Sequence, residues 1–341
     1  TFENKTYVKG VTLAPRMGYL SPLNNQLAYV LAVEKLLDVE VPPRATVARV
    51  ILTELDRIAS HLVFLGDHAL DLGASSVMLY AFQERELILD LMEMTGGQRM
   101  FPPYIRPGGL AMDLPEGFEA AVRAILDRLP AAADTYERLL TDNVFWKGRT
   151  EGVAVLSKQQ ALDWGVTGAL LRATGVAYDL RRAVPYLGLE DYDFEVPVFT
   201  AGDAYARYLI RIAEIRESVK IIRQALERLP GGAFTTADRK VAPPPKTELA
   251  NSMEAVIHHF KLWTEGFRPP AGEAYVGVEA PRGEMGFYIV SDGSGKPWRV
   301  HMRSPSFTNL QALETMVRGG LMADLVTAVA SLDPVLGEVD R

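Results

Sequence analysis

Apolar positions recur at intervals of three and four along much of this chain. Val47, Val50, Ile51, Leu55, Ile58, Leu62 and Leu65 make one such series. That spacing puts them on a single buried stripe and predicts a helix over 43–72, with Pro43 at its start and Gly73 as its stop. A helix over 22–37 precedes it, with Ser21 read as its cap and Pro22 in its first turn. A third runs over about 75–94 and ends at Gly96-Gly97. Further helices are expected over about 116–142, 202–228 and 248–265. Two closing helices are expected over about 310–317 and 321–331.

Residues 152–201 are mixed, and Pro243-Pro244-Pro245 forms a stiff connector. The period then drops to two. Residues 273–279, 286–290 and 297–302 read as short strands, with Asp292-Gly293 at a turn. The expected fold is mainly α with a small antiparallel β region, inserted at about 272–303 into one domain spanning 1–341.

Composition narrows the chemistry. Of 341 residues, 48% are hydrophobic and 23% charged, as in a globular protein with a large core. The net charge of −7 argues against a nucleic-acid surface. No run is apolar enough to span a bilayer, so any membrane contact is expected to come through partners. The sequence begins at Thr1, and no signal peptide is expected in it. It is read as a fragment, or as a chain lacking a leading segment. There is no cysteine at all, which excludes disulfides, thiol catalysis and a self-held iron–sulfur cluster.

That absence gives the last nine residues their meaning. Asp333-Pro334-Val335-Leu336-Gly337-Glu338-Val339-Asp340-Arg341 resembles the Asp-Pro-Cys-x-x-Cys-x-x-His signature that closes nickel–iron hydrogenase large subunits. Val335 and Glu338 stand at the thiolate positions, and Arg341 stands at that of the histidine. Soft thiolates hold nickel and iron, so this chain is without that metal site. A hydrogenase-like helical core lacking its metal resembles the quinone-site subunit of respiratory complex I, the D or 49-kDa subunit family. Other matching segments are Ala32-Val33-Glu34-Lys35-Leu36-Leu37, Arg57-Ile58-Ala59-Ser60-His61-Leu62, Asp71-Leu72-Gly73-Ala74 and Tyr104-Ile105-Arg106-Pro107-Gly108-Gly109. Glu217-Ser218-Val219-Lys220, Arg282-Gly283-Glu284 and Arg303-Ser304-Pro305-Ser306-Phe307 match as well. Together they cover essentially the whole chain, and the N-terminal β segment of the family is expected to be absent from it.

The resemblance implies a component of a proton-translocating NADH–quinone oxidoreductase, inactive alone. Such a component packs against a partner carrying the terminal 4Fe-4S cluster, and quinone is reduced between the two. The implied neighbours are the B, C and I subunits of complex I and the H subunit of its membrane arm. The implied place is peripheral, on the cytoplasmic face of a bacterial plasma membrane, or on the matrix side in a mitochondrion. No cofactor is expected to be bound by this chain alone; quinone is the substrate.

The resemblance also assigns residues. Tyr19 matches the tyrosine that hydrogen-bonds the quinone headgroup, a role suited to a phenol that stays protonated and both donates and accepts. Read without the family, Tyr19 is a ring packed under a helix start. Asp71 matches the aspartate that orients a second donor, a histidine in an N-terminal loop that this sequence does not contain. His68, three residues before it, is either a partial substitute or half of a surface or capping pair. Gly18 and Ser21 take the places of the first two hydrogenase cysteines, and Val335 is expected to give the headgroup pocket an apolar wall. Gly18 stands where the family usually has an acid. Glu338 and Asp340 are expected either in a proton route or in a salt-bridged tail anchored by Arg341. Arg16 and Arg106 match arginines that approach the partner's cluster. Phe101 stands where the family usually has a histidine near that cluster. His61 reads as structural, and the adjacent His258 and His259 point apart on a helix. A structural or assembly protein that has lost quinone chemistry is the rival reading, as is a related complex fed by another donor.

Overall fold

The structure is a computed structural model that describes residues 1–340. Helix α1, Pro22–Leu37, runs beside the long α2, Pro43–Asp71, and α3, Ser75–Gly96, packs along α2. Helix α4, Phe118–Leu140, packs on α3, and α5, Ala204–Arg228, packs on both α2 and α4. The apolar stripe expected on α2 is buried from Val50 through Leu65. It belongs to one large cluster with Leu27, Val33, Ile88, Ile125, Ile215 and Ile222. A second cluster gathers Leu156, Leu170, Leu171, Met316 and Leu332.

Helix α4 continues through Pro130, although proline there removes the N–H that would bond the Leu126 carbonyl. The Arg223 guanidinium on α5 donates to that carbonyl at 3.2 Å, so the orphaned acceptor is satisfied from the neighbouring helix.

The irregular segment around Pro107 contains a short antiparallel pair that the sequence pattern misses: β1, Ile105–Arg106, and β2, Gly109–Leu110. Two-residue strands are too short to show alternation. Helix α6, Met253–Thr264, starts later than expected, because a 3-10 turn at Lys246–Glu248 comes first and Ser252 then caps the helix. Strands β3, Gly272–Ala280, β4, Gly283–Ser291, and β5, Arg299–Arg303, form an antiparallel sheet in that order. The sheet lies against α1. At its outer strands, Glu3 accepts from the Val300 N–H at 3.1 Å, and Lys35 donates to the Tyr275 carbonyl at 3.3 Å.

The helix expected over 310–317 begins earlier, as α7, Pro305–Gln311, with Ser304 capping it and Pro305 in its first turn. It breaks at Ala312, and α8, Leu313–Val317, follows. Helix α9, Asp324–Leu332, and the short α10, Leu336–Asp340, complete the chain. No helix of the described residues is long and apolar enough to cross a membrane.

Candidate functional site

The loop before α1 and the C-terminal segment meet. A helical turn, Ala14–Met17, leads to Gly18, and Gly337 of α10 packs on that turn. A Cβ at Gly337 would lie 2.5 Å from the Met17 carbonyl oxygen. A Cβ at Gly18 would run into the Asn25 amide nitrogen and would lie 2.5 Å from Glu338 Oε1. Both of these side chains are buried, so any side chain at position 18 would have to displace them.

Arg282, at the β3–β4 turn, ties the two segments together. Its Nη1 donates to Ser21 Oγ at 3.1 Å and stands 3.8 Å from Glu338 Oε1. Its Nε donates to the Asp333 carbonyl at 2.9 Å, with the Asp333 carboxylate 3.4 Å away. Ser306 donates to Glu338 Oε2 at 2.6 Å and accepts the Val335 N–H at 3.3 Å. Burial raises the Glu338 and Asp333 carboxyls above the usual range, against the pull of Arg282. The four corners matched to metal-binding cysteines, Gly18, Ser21, Val335 and Glu338, thus surround a buried hydrogen-bonded cluster. Ser21 is occupied by Arg282 and makes no cap for α1, contrary to expectation. Asp56 of α2 caps it instead: Oδ2 accepts the Leu23 and Asn24 N–H groups at 3.0 and 3.1 Å.

Tyr19 stands on the other side of the loop. Its ring is 36% exposed and lines a narrow cleft with Leu20, Asp56, Arg85, Leu89 and Met92. Gly18, Ser21 and Val335 do not line that cleft, and Val335 is fully buried. Arg16 and Phe101 come together, the guanidinium 5.8 Å from the ring centroid. Phe101 has φ of +58°, a conformation unusual for a bulky side chain. Arg106 lies in β1, with its guanidinium 5.7 Å from the Trp263 ring; burial lowers its pKa.

Asp71 ends α2 in an exposed position, and no hydrogen bond or ion pair joins it to Tyr19. Desolvation and the neighbouring Asp67 raise its carboxyl. His68 is not paired with it. The imidazole is buried between Phe64 and Trp146, and burial pushes it down to about 3. It therefore stays neutral at physiological pH and makes no surface pair. Asp340 is exposed while Glu338 is buried, so the two do not face one environment. The anchoring role weighed for Arg341 falls outside the described residues. His61 is structural: its Nε2 meets Glu214 Oε2 at 2.8 Å inside a buried charge network. His258 lies 3.6 Å from Glu254 and His259 packs near Trp263. Among the described residues no cluster of three or more acids and histidines could hold a metal.

Arg282, Asn25, Asp56 and Ser306 carry no role in the sequence reading. An acid at position 56, inside the apolar run of α2, was the visible signal for one of them.

The description "respiratory-chain NADH dehydrogenase, 49 Kd subunit" belongs to the family whose model matches residues 71–341. The chain is 62% identical over 344 residues to the D 2 subunit of the NADH-quinone oxidoreductase of Roseiflexus sp. (strain RS-1), covering all of this chain and 82% of that protein. It is equally similar, 62%, to the D 2 subunit of Chloroflexus aurantiacus, covering 84% of it. The corresponding D subunit of Geotalea uraniireducens is 54% identical over 339 residues, covering 99% of this chain and 87% of that one. With its mainly α fold and its cysteine-free corners, the chain belongs to the 49-kDa, or D, subunit family of respiratory-chain NADH dehydrogenase.

Proposed function

We propose that this chain forms the quinone-reduction chamber of a proton-translocating NADH–quinone oxidoreductase, together with a partner that carries the terminal iron–sulfur cluster. The observation that carries this reading is the half-exposed Tyr19. It lines a cleft whose walls are mostly apolar, with Asp56, Arg85 and Arg99 as its polar groups, and it sits one residue from Gly18 and two from Ser21 in the loop that meets the C-terminal segment. Headgroup pockets combine apolar walls with a few polar groups in this way.

Reduction of a quinone to a quinol takes two electrons and two protons. A chain without thiols has no ligands for a cluster, so the electrons come from the partner. This chain's own contribution is a phenol that donates a hydrogen bond to a quinone oxygen and strengthens that bond as negative charge develops. Asp71, at the far end of α2, is proposed to orient a second donor. Arg16, with Phe101 beneath it, is proposed to face the partner's cluster, where a cation favours the reduced form. Arg106 is assigned the same duty from β1. Gly18, Ser21, Val335 and Asp340 are proposed to border the chamber. The B, C, I and H subunits are the proposed neighbours, and the cytoplasmic face of the membrane is the proposed site of assembly.

The test is quinone reductase activity of the assembled complex carrying Tyr19→Phe, with co-purification of the cluster-bearing partner as the check on assembly. Lost turnover in an intact complex supports the reading. Full turnover makes Tyr19 a packing residue and overturns its role.

A further inference from the structure

Among the described residues nothing hydrogen-bonds the Tyr19 hydroxyl, so the ring's place is set by its packing in the cleft and by the chain on either side of it. Three residues later the chain enters α1. Pro22 brings no N–H to the first turn, and Ser21 is turned toward Arg282. The next two N–H groups, of Leu23 and Asn24, go to Asp56 Oδ2. The Asn24 side-chain amide adds a third bond to the same oxygen at 2.9 Å, and donates to the Thr53 carbonyl at 3.2 Å. Asp56 comes from the middle of α2, is 3% exposed, and lines the same cleft as Tyr19, Leu20 and Pro22.

We propose that Asp56 is the positioning residue for Tyr19: its carboxylate clamps the first turn of α1 to α2 and so fixes the tyrosine ring over the cleft. The inference rests on the reading of Tyr19 as the headgroup donor. A carboxylate accepting three N–H groups at a helix N-terminus is a strong attachment, because both the charge and the helix dipole favour it. Without it, two buried N–H groups lose their acceptor, and the first turn and the loop before it are free to shift.

Burial pushes Asp56 up to about 7, against the three N–H groups and the Arg282 charge, so the clamp is strongest above that pH, where the carboxylate is charged. Arg85 of α3 feels the Asp56 charge, and Arg99 and Tyr19 line the cleft beside it.

The experiment compares the assembled complex as wild type, Asp56→Ala, Asp56→Asn, Tyr19→Phe and the Asp56→Ala/Tyr19→Phe double variant, with decylubiquinone as substrate. Asparagine keeps an acceptor oxygen at the helix start, so Asp56→Asn is expected to hold KM within about twofold. Asp56→Ala is expected to raise KM about fivefold or more while kcat changes less. In the Tyr19→Phe background it should add less than about twofold, because its effect passes through that ring. If Asp56→Ala does not assemble, Asp56→Glu replaces it, since one extra methylene displaces the clamp without removing the charge. Unchanged KM in an intact complex, or a full additional effect in the Tyr19→Phe background, overturns the inference alone. Full turnover with Tyr19→Phe overturns the reading of Tyr19 and this inference with it.

Discussion

Gly18 and Glu338 come so close that a methyl group on Gly18 would stand 2.5 Å from the Glu338 carboxylate. Two stretches more than three hundred residues apart in sequence are thus fitted to each other at atomic contact. Gly18→Ala is expected to displace both Glu338 and Asn25. Overpacking of this kind costs about 1–3 kcal/mol, read as a lower denaturant midpoint with an unchanged slope. An unchanged midpoint would mean that the two side chains swing aside freely.

Among the described residues, Arg282 is the cation bonded to Ser21 and set beside Asp333 and Glu338. Arg282→Met should cost about 3–5 kcal/mol, because it leaves buried acids without their counter-charge. Arg282→Lys should recover only part of this, since one ammonium cannot reach all three partners of the guanidinium fork. Denaturant unfolding of the three proteins checks both statements; full rescue by lysine would reduce Arg282 to a point charge.

Glu34 holds β1 and β2 in place from α1. It pairs bidentately with Arg49, at 2.6 and 3.0 Å, and accepts the Gly108 N–H at 2.8 Å. Arg49 in turn donates to the Arg106 and Gly109 carbonyls. Glu34→Ala should therefore loosen the segment that carries Arg106. Limited proteolysis should cut near 103–110 much faster than in the wild type, while the other helices stay protected. Equal cutting rates would show that the pair's shape survives without its carboxylate.

Two histidines set part of the acid response. Burial lowers His61 to about 4 and His68 to about 3, whereas an unfolded histidine titrates near 6.5. Their contribution to stability is complete above about 6.5. It is lost as pH falls toward the folded values, because only the unfolded chain then takes up the protons. His68 has no hydrogen-bond partner to lose, so His68→Leu isolates one proton. Relative to wild type, the variant should gain about 1.6 kcal/mol between pH 6.5 and 5. A difference that stays constant across that range would contradict the burial argument.

The long helices were legible because their burial follows a three-and-four spacing, and the expected starts at Pro22 and Pro43 match those of α1 and α2. The cap of α1 was not legible. Its acceptor, Asp56, lies more than thirty residues away, whereas a local reading favours Ser21. The polar interior was hidden for a different reason. Arginine is usually a surface residue, yet Arg57, Arg172, Arg181 and Arg282 are all buried here and paired with acids. Glu54, Arg57 and His61 fall at helical spacing within the apolar run of α2, and that was the one available sign of a charged core. Tyr19 and its loop could be placed by resemblance, but the loop's contact with Glu338 depends on the C-terminal helix folding back, which no local pattern encodes.

The sheet edges bear on how this chain meets its neighbours. An outward N–H of β5 is already taken by Glu3, and an outward carbonyl of β3 by Lys35. Bare strand edges invite further strands, and at these two points the invitation is withdrawn. A neighbour adding a strand to this sheet would have to displace Glu3 or Lys35 at those points before it could extend the ladder.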